Sequence, residues 1–95
     1  MAAYLVVDIE ISNPAQFEEY RKLAPAAIAK YGGRYIIRGG AYEVLEGEWK
    51  PQRLTIVEFD SMEKAKAFYA SPEYAAAKKA RAGAAKFKAL LVQGI

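Results

Sequence analysis

Four segments of this chain have the β-branched and aromatic composition of strands, and each carries apolar side chains on both of its faces. The segments are residues 3–11, 34–47, 53–60 and 87–92. The two faces of the first segment are Tyr4, Val6, Asp8, Glu10 and Leu5, Val7, Ile9, Ile11. An antiparallel sheet with one face in water alternates apolar and polar residues. These strands therefore predict a sheet that is covered on both faces.

A helix is predicted after the first strand, because residues 14–31 carry apolar side chains at helical spacing. Asn13 is the expected N-cap, Pro14 the first helical residue, and Gln16 the partner that completes a capping box. Pro25 falls inside the pattern and should kink or split the helix, since its ring clashes with the preceding turn. The glycine pair at residues 32–33 should end it.

A second helical region follows the third strand. Asp60 or Ser61 is its expected cap, and a new helix should begin at Pro72 with Ser71 as its N-cap. The resulting order of strand, helix, strand, strand, helix, strand predicts a ferredoxin-like α+β fold. In that fold a four-stranded antiparallel sheet carries its helices on one face.

The second face of this sheet needs a partner, because it would otherwise leave a large apolar patch in water. An identical chain that packs the same face against it satisfies this requirement and gives a two-fold homodimer. A chain of 95 residues has room for one domain, residues 1–95, and buries a modest share of its surface as a monomer. Dimerisation is thus expected on two grounds.

The strand pattern of residues 34–47 is interrupted by Arg38, Gly39 and Gly40. Adjacent glycines in a strand indicate a bulge or a bend, or a place where another group approaches the backbone closely. In the second case the bare backbone beside Arg38 would form one wall of a small-molecule pocket. Residues 47–51 are expected to form a hairpin turn, in which Trp49 covers the edge of the core or an interface.

Composition excludes several kinds of site. The chain has no cysteine and no histidine, which removes disulfides, thiolate chemistry and the commonest transition-metal ligand, so no metal or cofactor is expected. We expect a cytoplasmic protein with no membrane segment. The lysines and arginine of residues 78–88 are interpreted as a solvated helix face, because the interleaved aromatic residues of a nucleic-acid surface are missing. No nucleic-acid partner is therefore expected.

Two acidic residues, Asp8 and Glu58, lie in the middle of otherwise apolar strands. A buried carboxylate needs a cationic partner or a raised pKa. We hypothesise a partly buried cluster of Asp8 or Glu58 with Arg38 and Arg81, edged by two aromatic residues, Tyr69 and Tyr74. Such a cluster serves either as a structural ion-pair network or as an active or binding site.

The chain also resembles a known family. The resemblance is carried by Gly32-Gly33, Tyr35 to Gly40, Glu46-Gly47, Arg53, Glu58-Phe59, Ser61, Tyr69-x-Ser71-Pro72-x-Tyr74 and Arg81. These residues are similar to the domain-of-unknown-function 1330 family over essentially the whole chain. The resemblance implies a dimeric α+β barrel, related in fold to small monooxygenases of antibiotic biosynthesis, muconolactone isomerases and stress-responsive proteins. It implies no particular reaction.

Two functions from different classes are consistent with these residues. The first is a cofactor-independent enzyme, isomerase-like or monooxygenase-like, that acts on a small acidic or aromatic metabolite. Its catalytic residues would be Arg38, Asp8 and Glu58. Its substrate-binding residues would be Arg81, Tyr69, Tyr74, Gly39 and Gly40. The alternative is a non-catalytic dimeric protein, small-ligand-binding or stress-associated. The fold alone does not choose between them.

Overall fold

The predicted order of elements is confirmed over residues 1–95, all of which are described by a computed structural model. The strands are β1 (Ala3–Ile11), β2 (Arg34–Arg38), β3 (Leu54–Phe59) and β4 (Ala85–Gln93). The helices are α1 (Pro14–Lys30), α2 (Met62–Tyr69) and α3 (Pro72–Ala80). All neighbouring strands are antiparallel and lie in the order β2-β3-β1-β4. This is the ferredoxin-like α+β arrangement, with β2 and β4 at opposite edges.

The pleat of the sheet gives it an inner face, which is covered by the helices, and an outer face, which is not. The inner face carries Leu5, Val7, Ile9, Val57 and Phe59, all buried against α1 and α2. The outer face carries Tyr4, Val6, Ile37, Ile56, Leu90 and Val92. The single chain thus leaves apolar residues of its outer face open to solvent, as the strand pattern predicts.

The predicted start of α1 is confirmed, and the structure differs from the prediction in two details. The Asn13 side chain accepts a hydrogen bond from the backbone N–H of Gln16 (3.1 Å), as an N-cap does. The Gln16 side chain does not complete a capping box; it donates to the backbone oxygens of Ala80 (3.2 Å) and Ala82 (2.8 Å) and so ties α1 to the end of α3. The helix also continues through Pro25 without being split. Ser61 and Ser71 are the N-caps of α2 and α3.

The glycine pair of the central stretch ends β2 and does not form its bulge. The strand stops at Arg38, and residues 39–53 form a loop without helix or strand. Gly39 has φ +68°, a left-handed conformation that glycine adopts without strain and that turns the chain out of the sheet. The bulge lies instead between Tyr35 and Ile37. The predicted position of the bulge is therefore wrong, and the predicted hairpin turn is part of a longer loop.

This bulge decides which way the two arginines of β2 point. In a regular strand Arg34 and Arg38 would lie on the same face, because they are four residues apart. The extra residue at the bulge reverses the alternation. Arg34 pairs with Glu58 on the outer face, whereas Arg38 pairs in register with Thr55 on the inner face. The sheet thus directs one arginine to each side.

Gly33→Ala should lower the free energy of unfolding by about 1–3 kcal/mol, because overpacking a filled site forces its neighbours to move. A Cβ at Gly33 would lie 2.6 Å from Cε1 of Phe59 and 2.9 Å from Cγ2 of Ile28. Urea denaturation followed by circular dichroism measures the change. Gly40→Ala is the matched control, since nothing lies within 4 Å of that position. Equal effects of the two substitutions would contradict the packing argument.

Candidate functional site

A cavity of about 140 Å³ lies between the inner face of the sheet and α1. Most of its wall is apolar and comes from all the layers of the fold. This part of the wall consists of Leu5, Val7, Ile9, Phe17, Ala24, Ile28, Val57, Phe68 and Phe87. A cavity of about 150 Å³ with such a lining is large enough for benzene. The space therefore suits one small ring.

Three arginines form the charged part of the wall: Arg21 on α1, Arg38 at the end of β2 and Arg53 just before β3. Arg21 is paired with Glu18 on its own helix (3.5 Å). Arg38 and Arg53 form no ion pair, and no acidic residue lines the cavity. The cavity consequently combines an apolar interior with two guanidinium groups that have no counter-charge.

Local packing holds both unpaired guanidinium groups in place. The Arg38 guanidinium carbon lies 4.3 Å from the centre of the Tyr35 ring, in cation–π geometry. The Arg53 side chain passes over Gly39, where a Cβ would meet its guanidinium carbon at 2.9 Å. Because Gly39 has no side chain, the Arg53 side chain can lie against its backbone. The close neighbour of this backbone is thus Arg53, and neither glycine of the pair lines the cavity.

Tyrosine hydroxyls form the neutral polar part of the wall. The hydroxyls of Tyr20 and Tyr74 share a buried hydrogen bond of 2.9 Å. Burial raises the pKa of Tyr20 far above its ordinary value, and the neighbouring Tyr74 raises it further. Burial also raises the pKa of Tyr35, although the charge of Arg38 acts in the opposite direction. Tyr20 and Tyr35 thus remain protonated at neutral pH and are hydrogen-bond donors rather than bases.

The Thr55 hydroxyl is a buried polar group that the fold leaves without a partner. Thr55 lines the cavity and is only 6% exposed, yet its Oγ1 makes no hydrogen bond. An unsatisfied buried hydroxyl costs about 1–3 kcal/mol. A polar atom of a bound molecule would satisfy it. Thr55 thus adds an unsatisfied hydroxyl to a wall in which two arginines have no ion-pair partner.

The predicted cluster of Asp8 or Glu58 with Arg38 and Arg81 does not form in this chain. Both carboxylates lie on the outer face of the sheet, across the strands from the cavity. Asp8 accepts hydrogen bonds from the backbone N–H groups of Gln52 (2.8 Å) and Arg53 (3.1 Å). The predicted geometry is wrong because backbone amides, rather than an arginine of the inner face, satisfy Asp8.

Glu58 has partners of its own on the outer face. It accepts a hydrogen bond from Arg34 Nε (2.8 Å) and another from the Tyr4 hydroxyl (3.0 Å). The hydrogen bond to Glu58 raises the pKa of Tyr4. This group links β1, β2 and β3 across the outer face. Of the two interpretations of the acidic residues, the structural ion pair describes Glu58, which joins three strands.

The other predicted site residues do not lie together. Tyr74 lines the cavity, whereas Tyr69 lines a separate groove under Lys78. Arg81 lies behind the wall, with its guanidinium carbon 3.6 Å from the centre of the Phe87 ring. Gly40 has no neighbour within 4 Å and is not part of the wall.

Sequence reasoning missed several residues of the cavity wall: Arg21, Tyr20, Tyr35 and Thr55. Tyr20 lies in the apolar pattern of α1, which gives no sign of the contact that its hydroxyl makes. Thr55 gives a usable signal, because it is the one polar side chain among the inward positions of β3. Arg53 lines the cavity as well and has no signal of its own in the strand pattern.

Comparison with known proteins defines the family. The family described as Domain of unknown function (DUF1330) matches residues 2–95. The chain belongs to the DUF1330 family. Among curated proteins, none matches this DUF1330 sequence. The resemblance of the sequence motifs to this family is thus confirmed over nearly the whole chain.

Solved structures share the fold of this DUF1330 chain. A protein of unknown function from Rhodopseudomonas palustris is 16% identical, with a TM-score of 0.75 over 99% of this chain and 82% of that one. SnoaB from Streptomyces nogalater, a cofactor-independent oxygenase, is 15% identical, with a TM-score of 0.69 over 99% and 93%. A dimeric ferredoxin-like protein of unknown function from Jannaschia sp. CCS1 is 10% identical, with a TM-score of 0.70 over 99% and 100%. At these identities the likeness concerns the fold.

Two further properties of this DUF1330 chain concern metal ions and membranes. Nowhere in the structure do three or more acidic residues come close enough to hold a metal ion. None of its helices combines the length and the apolar character that crossing a membrane requires.

Thr55→Val should raise the free energy of unfolding by about 1 kcal/mol, because it replaces an unsatisfied buried hydroxyl with a methyl group of similar size. Thermal and urea unfolding measure the effect. Thr55→Ser is the control, since it keeps the hydroxyl and should not stabilise the fold. A Thr55→Val variant that is less stable than the unchanged protein would show that the hydroxyl has a partner.

Stability should fall above pH 10 through Tyr20. The unfolded chain loses the Tyr20 proton near the ordinary pKa of 10.0, whereas the folded chain keeps it. The folded state then binds more protons, so each pH unit above 10 costs about 1.4 kcal/mol. Tyr20→Phe should remove this share of the slope. Urea unfolding at pH 9, 10 and 11 measures it, with Tyr42→Phe as a control at an exposed position. An unchanged slope would count against a buried neutral Tyr20.

Proposed function

We propose that the cavity binds a small, flat, single-ring anion and that the chain is a cofactor-independent enzyme, isomerase-like or monooxygenase-like, acting on it. One observation carries this proposal. Arg38 and Arg53 lie without ion-pair partners at an apolar cavity that has no acidic lining residue. Arg38 is exposed and Arg53 is half-buried, so both charges are accessible to an anion that enters from solvent. A carboxylate or phenolate supplies that counter-charge.

The two guanidinium groups would also change the reactivity of the bound molecule. Positive charge within a few ångströms favours the ionised form of a phenol or an enol and lowers its pKa. It equally stabilises negative charge that develops on an oxygen during a reaction. Arg38 and Arg53 are therefore assigned to binding and charge stabilisation. Thr55 and the Tyr20–Tyr74 pair are assigned to orienting the ring by hydrogen bonds.

The wall holds no group that would act as a base at neutral pH. Its titratable groups are arginines and tyrosines, of which Tyr20 and Tyr35 have raised pKa values. The chemistry must then come from a substrate that ionises readily once the arginines hold it. A cofactor-independent oxygenation meets this requirement. The phenol releases its proton to water, and the phenolate supplies the electrons that reduce dioxygen. One oxygen atom replaces a ring hydrogen to give a quinone, and the other leaves as water. The fold likeness to SnoaB is in keeping with this chemistry.

A non-catalytic ligand-binding protein is the second candidate. It is favoured by the same missing base, because the outward-facing Asp8 and Glu58 supply no proton acceptor to the cavity. Binding needs only the arginines, the hydroxyls and the apolar wall. The two candidates share the ligand class and differ in whether the bound anion is converted.

We further propose that the chain is a cytoplasmic homodimer joined through the outer face of the sheet. The exposed apolar residues of that face, among them Ile37, Leu90 and Val92, support the proposal. Similar folds described as dimeric support it as well. A second copy would cover these residues by a two-fold contact. The Glu58–Arg34 pair would then lie inside the interface.

Arg38→Met and Arg53→Met should each weaken binding of benzoate by roughly tenfold, because each removes a charged hydrogen-bond donor. Isothermal titration calorimetry with benzoate measures the loss. Benzyl alcohol, which has the same ring and no charge, should bind the variants and the unchanged protein alike. Lys22→Met removes one positive charge from an exposed position of α1 and is the matched control. Benzoate binding that survives both arginine changes would refute the proposed site.

Catalysis is separated from binding by turnover measurements on ring compounds that the protein binds. Oxygen uptake with monocyclic hydroquinones detects an oxygenase, and proton NMR of the same mixtures detects an isomerisation. The enzyme proposal expects a rate above that of buffer, and expects Arg38→Met to lower it. Tight binding with no turnover in either measurement would favour the non-catalytic candidate.

A further inference from the structure

The loop between β2 and β3 contains an exposed acidic and apolar segment that the fold does not use. Residues 40–50, here called the acidic loop, belong to no helix or strand and make no backbone–backbone hydrogen bond. Leu45 is 86% exposed and Trp49 is 65% exposed. The acidic loop carries three glutamates, at positions 43, 46 and 48, and a single lysine. Its composition is that of a contact surface without a partner.

A groove of about 490 Å³ with the opposite charge lies along β4, beside α2 and Lys78 in the last turn of α3. Its apolar residues include Ala65, Ala89 and Leu91. Lys66 and Lys78 lie along it, and neither forms an ion pair. We call it the basic groove.

The position of the basic groove leaves room for an added chain segment. β4 is an edge strand, so the backbone groups on its outward side have no neighbouring strand. Lys66 and Ala70, which line the groove, are exposed. Edge strands of this kind accept extended segments from other chains. An extended segment with apolar and acidic side chains would fill the groove and neutralise its lysines.

The acidic loop cannot easily reach the basic groove of its own chain. It connects β2 and β3, whereas the groove follows β4 at the opposite edge of the sheet. The Tyr42 hydroxyl donates to the backbone oxygen of Pro51 (2.6 Å), which ties the acidic loop to the residues just before β3. A second copy of the chain has no such restriction. In a two-fold dimer the contact would be made twice, once by each acidic loop.

We propose that the acidic loop of one copy docks into the basic groove of a second copy. Val44 and Leu45 would enter the apolar part of the groove, and the glutamates would face Lys66 and Lys78. The proposal rests on the proposed homodimer but goes beyond it, because contact between two outer faces does not require this docking. It assigns a binding role to the segment that the sequence predicted as a strand and that the single chain leaves unpaired.

Cysteine cross-linking tests the docking, because the chain has no native cysteine. Leu45→Cys and Ala70→Cys are made in separate proteins, so any disulfide between them joins two copies. Ala70 is exposed and lines the basic groove. We expect the mixed disulfide to form with at least roughly tenfold preference over an Ala67→Cys control, since docking raises the effective concentration of the two thiols. Ala67 is also exposed and lies on α2, but outside the groove.

Charge reversal provides a second, independent test. Lys66→Glu and Lys78→Glu are added together to the Ala70→Cys protein and should lower the yield of mixed disulfide by roughly fivefold at low salt. Glu43→Lys and Glu46→Lys, added to the Leu45→Cys protein, should restore it. Circular dichroism of each variant establishes that it is folded.

Analytical ultracentrifugation of the unchanged protein separates failure of the docking from failure of the dimer. A dimer whose Leu45→Cys protein reacts equally with both partners would overturn the docking and leave the homodimer standing. A monomer at every concentration would overturn both. If another molecule occupies the groove in place of the loop, the Leu45→Cys protein will also react equally with the two cysteine partners. That result would overturn the proposal.

Discussion

The alternation of side chains across β1 and β3 keeps the acidic residues of the sheet away from its cavity. Asp8 and Glu58 point outward, where backbone amides and Arg34 satisfy them. The inward positions of the same strands are apolar except for Thr55. Because these carboxylates lie on the other face of the sheet, Arg38 and Arg53 have no acidic partner. The character of the cavity, the proposed ligand and the ion pair of the outer face all depend on this separation.

Local signals in the sequence predicted most of the fold. Asn13, Ser61 and Ser71 cap their helices because their side chains reach backbone groups three residues away, a relation that is visible in the sequence. The strands carry apolar side chains on both of their faces, and this pattern indicated that each face of the sheet needs a cover. The loop of residues 39–53 was not foreseen, because the segment after Gly39 has the composition of a strand but no neighbour within its own chain.

The candidate site was harder to predict, because it depends on strand phase and on long-range contacts. A bulge of one residue between Tyr35 and Ile37 places Arg34 and Arg38 on opposite faces. The residue types at these positions do not predict the bulge. The hydrogen bond between Tyr20 and Tyr74 joins residues 54 positions apart, and such pairs emerge only once the helices are packed. Arg38 and Tyr74 both line the cavity, whereas the predicted acidic partners lie on the other face of the sheet. Apolar strands do not reveal which of their faces will be covered.

The stacking of Arg81 on Phe87 connects the end of α3 to the cavity wall. Arg81 is the C-cap of α3, and its guanidinium carbon lies 3.6 Å from the centre of the Phe87 ring, which lines the cavity. A cation over an aromatic face attracts that ring. The position of this wall ring therefore depends on where the helix ends, and a shift of the C-cap would change the shape of the cavity.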